Sequence, residues 1–200
     1  VRYLQINEAQ RLTNAAEPGF RNLVQAALQT GCRYGELCRL RVEDFNPAAG
    51  TVTIRRSKSG KPRHVILTEE GIELFLQLTA GRKGGELLLR NDARMARSAA
   101  RKMTDDGGWR ASEQVRAMAE ACERAKIEPP IGFHGLRHTW ASHAVMGGTP
   151  LLVVARNLGH ADTRMVEKHY GHLSESYVEE AIRAGAPRFG VMPSNLARLP

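Results

Sequence analysis

Five short stretches of the chain hold the side chains that could do chemistry. The densest is His134-Gly135-Leu136-Arg137-His138. At roughly 100° per residue on a helix, His134, Arg137 and His138 share one face, while Leu136, Trp140 and His143 point the other way. Three cationic or proton-handling groups at a helix start, where the backbone dipole favours anions, form a natural phosphate clamp. The alternative is a solvated polar face. A zinc pair is disfavoured: the HExxH pattern needs a glutamate after its first histidine, Gly135 stands there, and Arg137 would repel a dication.

The second stretch is Leu158-Gly159-His160. Pro150 opens the preceding helix and Gly159 closes it, so His160 sits on a tight turn, either aimed inward or simply on a surface loop. Third, Val166-Glu167-Lys168-His169-Tyr170 starts a new helical stretch, in which Tyr170 is a half-buried packing residue or a nucleophile. In the fourth, Thr30-Gly31-Cys32-Arg33-Tyr34-Gly35-Glu36-Leu37, two glycines bracket Arg33 and present it from a break between helices. There it can bind an anion or cap a helix end, with Glu36 placed to orient a neighbouring cation. The fifth is a basic loop, Arg55-Arg56-Ser57-Lys58-Ser59-Gly60-Lys61-Pro62-Arg63, whose Lys58 serves solubility or proton donation.

The elements that must position these groups are mostly helical. Phe20, Leu23, Val24, Ala27 and Leu28 form one apolar stripe that Gly31 terminates. A short helix follows over about 35–40. Val52 and Ile54, then Val65 and Leu67, alternate with polar residues and predict an antiparallel hairpin with the basic loop at its tip. Thr68 N-caps the next helix, with Glu69 and Glu70 in its first turn. Residues 81–108 read as loops with one short helix; Arg90, Arg94, Arg97 and Arg101 within them, and Arg110 just beyond, face solvent or a polyanion. Helices are expected over 112–126, 134–146 and 150–158, with further helical sequence to about Arg183 and a loose tail from 187 to 200. The fold class is mainly α with a small antiparallel β-sheet (α+β).

Two hundred residues suit one domain, which can bury roughly 70% of its unfolded surface without staples. No apolar run is long enough for a membrane span, and no signal peptide opens the chain. Cys32, Cys38 and Cys122 are odd in number and lack a CxxC pair, as expected of free thiols in a reducing cytoplasm. A net charge of +8 favours a polyanionic partner.

In this order the five stretches resemble the signature of the tyrosine recombinases, the phage integrases and chromosome-dimer resolvases. The TGxRxxEL context matches Thr30 to Leu37, the sheet-turn lysine matches Lys58, HxxR matches His134 to Arg137, LGH matches Leu158 to His160, and the nucleophile matches Tyr170. His160 and Tyr170 lie one residue further apart than the family's commonest spacing.

The resemblance implies a catalytic domain over 1–186, a C-terminal tail over 187–200, and a separate N-terminal DNA-clamping domain absent from this chain. It implies site-specific recombination of double-stranded DNA, integration or excision, without metal or other cofactor. Tyr170 attacks the phosphodiester and forms a 3′-phosphotyrosyl link. Arg33 and Arg137 grip the non-bridging oxygens, His160 adds a hydrogen bond, His134 takes the tyrosine proton, and Lys58 protonates the leaving 5′-oxygen. Arg55, Arg56, Lys61 and Arg63 are expected on the DNA backbone. The implied assembly is a homotetramer in the synapse and a monomer when free, cytoplasmic and nucleoid-associated in a prokaryotic host. The rivals are a type IB topoisomerase-like enzyme and a non-catalytic DNA-binding factor of the same fold. A metal-dependent nuclease would need clustered carboxylates that the sequence lacks.

Overall fold

The computed structural model describes residues 1–55, 62–174, 179 and 182–187. Pro18 at the first turn and the stripe Phe20, Leu23, Val24, Ala27 and Leu28 make the central helix α2, Pro18–Thr30, in which the first four of the stripe are buried and Leu28 is half-buried. Gly31 ends it with φ 64, a left-handed conformation that glycine adopts freely. A side chain there would also collide with Trp140, 2.8 Å from a Cβ. Before α2 comes α1, Ile6–Ala15; after it comes the four-residue α3, Tyr34–Leu37.

The sheet has three antiparallel strands, β1 Phe45–Asn46, β2 Thr51–Ile54 and β3 Arg63–Ile66, in the order β1-β2-β3. Val52 pairs with Val65, so the buried residues of β2 and β3 meet on one face, as the alternation predicts. The β1 strand was not expected: two residues are too few to show a period.

Thr68 caps α4, Glu69–Thr79, its hydroxyl accepting from the Gly71 amide at 3.2 Å. The short helix expected within 81–108 is α5, Asp92–Ala100, and α6 follows at Glu113–Ala125. The remaining helices are α7, His134–Met146, α8, Leu151–Leu158, and α9, Arg164–Tyr170, which runs into a 3-10 turn over Gly171–Ser174. Most of the helical sequence expected from 175 to 183 lies outside the described residues.

Helix α2 packs on α7, and α1 on α6, around the main core. A smaller core joins α7, α8 and α9 through Ala141, Val145, Val154, Leu158, Val166 and Tyr170. The site residues lie where these two cores meet. Cys32 and Cys122 are buried, and all three cysteines are free. No helix among the described residues is long and apolar enough to cross a membrane.

Candidate active site

Arg137 is the hub. It is 3% exposed, and its Nη1 donates to the Gly31 carbonyl (2.9 Å) at the end of α2. Its Nη2 donates to the Leu158 carbonyl (2.8 Å) at the end of α8 and to His160 Nε2 (2.9 Å). The left-handed glycines Gly31 and Gly159 turn the chain at both helix ends. Three of the five guanidinium N–H groups are thus committed to the protein, leaving two for an anion rather than a free fork. Burial, and then the nearby Arg33, pushes Arg137 down to about 10.

Arg33 lies at the start of α3 with extended backbone, its amide donating to Glu36 Oε2 (2.9 Å) and its Nη1 to Glu36 Oε1 (3.2 Å). Glu36 is 4% exposed, while the Arg33 side chain keeps 29% exposure. Burial raises the Glu36 carboxyl, and hydrogen bonds from Arg63 and the Arg33 amide outweigh it, so the pKa is lowered and the group stays ionised.

Because His160 Nε2 accepts from Arg137, its ring proton sits on Nδ1, which is buried and has no hydrogen-bond partner among the described residues. Burial, then Arg137, Arg33 and Arg63, push His160 down to about 4 against a small opposing effect of Asp162.

Tyr170, at the end of α9, is 3% exposed. Its hydroxyl meets His138 Nδ1 at 2.5 Å. Burial pushes the phenol up to about 12, with Arg137 opposing. His138 is pushed down to about 4 by burial, then by His134, His169, Arg137 and the N-terminal amine. His134 lies at the surface with its ring edge-on to His138 at 4.8 Å, and partial desolvation, then Arg137 and Arg33, lower its pKa. The group on the tyrosine hydroxyl is therefore His138. The expected proton acceptor, His134, stands one turn away. The shared helix face of the two histidines was legible in the sequence, but which of them α9 would fold onto was not.

Arg63, expected as a DNA-backbone contact, is turned inward. Its side chain is 11% exposed and salt-bridged to Glu36, because a buried carboxylate at this place needs a second cation. Arg55 is 59% exposed and bonded to Asp44 and Glu43. Arg56, Lys58 and Lys61 lie outside the described residues. In the arginine-rich stretch, Arg94 is also turned inward, onto Asp105 and the Gly108 carbonyl.

The two depressed histidines predict a pH response. Both are neutral when folded and bind a proton near 6.5 when unfolded, so stability is complete above 6.5 and is lost as pH falls toward 4. Between pH 6.5 and about 5 carboxylates remain ionised, and the expected loss is on the order of 1 kcal/mol after discounting for partial exposure. Thermal melts across that window should show it, and His138→Gln should reduce it. A melting temperature flat from pH 7 to 5 contradicts this.

Residues 2–176 match the Phage integrase family. The integrase of Escherichia phage 186 is 32% identical over 83% of this chain and 41% of that integrase. Tyrosine recombinase XerC of Thermodesulfovibrio yellowstonii is 30% identical over 88% of this chain and 61% of that enzyme. The chain thus spans roughly half the length of such relatives. Among solved structures, the catalytic domain of bacteriophage HP1 integrase superposes with a TM-score of 0.67 at 28% identity, covering 92% of this chain and 95% of that domain. XerA recombinase superposes with a TM-score of 0.68 at 26% identity, over 94% of this chain and 65% of XerA.

Proposed function

Since this chain belongs to the phage integrase family, we propose that it is the catalytic part of a site-specific tyrosine recombinase that breaks and rejoins double-stranded DNA. The observation that carries the reading is the convergence of Arg33, Arg137 and His160 beside a buried tyrosine whose hydroxyl is already engaged. Two guanidinium groups, with the neutral His160 imidazole held against one of them, suit the charge developing on a phosphodiester under attack.

In the proposed step the Tyr170 oxygen attacks phosphorus, the P–O5′ bond breaks, and the 3′-phosphate remains on the tyrosine. The phenolic proton passes to the His138–His134 pair, and the leaving 5′-oxygen takes one from Lys58. Attack by another 5′-hydroxyl reverses the sequence and needs no external energy source, because the phosphodiester energy is kept in the link. With the phenol near 12 and the imidazole near 4, the resting proton stays on Tyr170. The nucleophile is stored neutral until DNA reaches the clamp.

Lys58, Arg56, Lys61 and the exposed Arg55 are proposed to approach the DNA backbone. The net charge of +8 supports a duplex partner. Four copies in a synapse, and a DNA-clamping domain in the parent protein, complete the proposal.

The test is covalent capture. The chain is incubated in EDTA with a pool of nicked duplexes of randomised sequence, whose cleavage cannot reverse. Adducts stable to SDS are isolated, sequenced and mapped by mass spectrometry. A 3′-phosphate on Tyr170 is expected. No adduct, an adduct on another residue, or one requiring a divalent cation overturns the reading.

A further inference from the structure

The Arg63 side chain is committed inside the protein. Its Nη1 and Nη2 donate to the two oxygens of Glu36 at 3.0 and 2.8 Å. The same oxygens accept from Arg33, through Nη1 and the backbone amide. Its Nε donates to the Asn157 carbonyl (2.9 Å) at the end of α8. The Asn157 side chain in turn donates to the Thr30 carbonyl at the end of α2 (3.0 Å). Gly159 lies flat on the guanidinium, where a Cβ would come within 2.9 Å of Nη1. One side chain from β3 therefore ties the break that presents Arg33 to the turn that presents His160.

We infer that Arg63 is a positioning residue for the phosphate clamp, holding Arg33 and His160 in one frame without touching DNA. The inference rests on the proposed function above. Of the two guanidinium groups on Glu36, Arg63 is the inward one at 11% side-chain exposure, and Arg33 the one left facing out at 29%. A planar fork can span a carboxylate and a carbonyl together, whereas an ammonium is a single point. Misplacing a transition-state donor by about an ångström costs on the order of a hundredfold in rate. Binding of DNA, which depends on many backbone contacts, should hardly change.

The experiment measures adduct formation in a single turnover on the duplex recovered from the randomised pool, over a range of protein concentrations. It yields a maximum rate and a half-saturating concentration. For Arg63→Lys and Arg63→Gln the maximum rate is expected to fall about tenfold to a hundredfold, with half-saturation within about twofold of the wild type. Val65→Ala, in the buried face of the same strand, is the stability control: its melting temperature falls and its maximum rate does not. Should Arg63→Gln unfold, the double variant Arg63→Gln/Glu36→Gln removes both buried charges and must be equally slow. Unchanged maximum rates, a fast double variant, or weakened half-saturation at full rate each overturn the inference. Failure of the wild type to form an adduct overturns the proposed function instead.

Discussion

Tyr170→Phe is expected to lose the covalent DNA adduct, a fall of at least about 10⁴-fold in its rate of formation, while the protein stays folded. The ring sits in the small core of α7, α8 and α9 with Val166, Leu158 and Ala141, and phenylalanine preserves that packing. What disappears is the oxygen and its hydrogen bond to His138 Nδ1. The net cost of one such bond is about 1 kcal/mol, which lowers the melting temperature of a domain this size by roughly 2–4 °C. A large chemical effect beside a small stability effect separates a nucleophile from a packing residue. Denaturing gels and thermal melts on the same preparation make the comparison. An adduct that persists in Tyr170→Phe names another nucleophile, with Tyr177 the nearest tyrosine in sequence. A loss of several kcal/mol means that the hydroxyl serves the fold.

Much of this arrangement is legible in the chain because its signals are local. The α2 stripe, the stop at Gly31, the cap at Thr68 and the span of α7 follow from spacing and from glycine or hydroxyl chemistry within a few residues. The burial of Arg63 is of another kind. Within Arg55 to Arg63 every cation looks alike in sequence, and only the pairing of β3 with β2 shows that position 63 faces Glu36, which is 27 residues away. The His138–Tyr170 contact depends on α9 folding back over α7, across 32 residues. The i,i+4 spacing of His134 and His138 marks both as candidates without ranking them. Composition gave the sign of the surface charge, but burial decided which cations work inside.

Arg137→Lys is expected to slow adduct formation by about a hundredfold to a thousandfold, and to do so with a pH dependence that the wild type lacks. Arg137 bridges the Gly31 and Leu158 carbonyls and supports the His160 ring, with two N–H groups left for a phosphate. A lysine nitrogen carries three donors at one point and cannot span two helix ends and a phosphate together. The unpaired carbonyls add roughly 1–3 kcal/mol of instability. The charge is the sharper discriminator. Burial and Arg33 bring the guanidinium down to about 10, which leaves it protonated at neutral pH. A lysine starts from a lower reference of about 10.4, so the same surroundings carry it toward neutrality. Its charged form exists below the depressed pKa and is lost as pH rises through it. The residual rate of Arg137→Lys should therefore fall between pH 6 and 9, while the arginine of the wild type stays charged across that range. Maximum adduct rates measured at fixed ionic strength over those pH values test this directly. A lysine variant with wild-type rate and wild-type pH dependence would remove Arg137 from the clamp and leave it as a brace between α2 and α8.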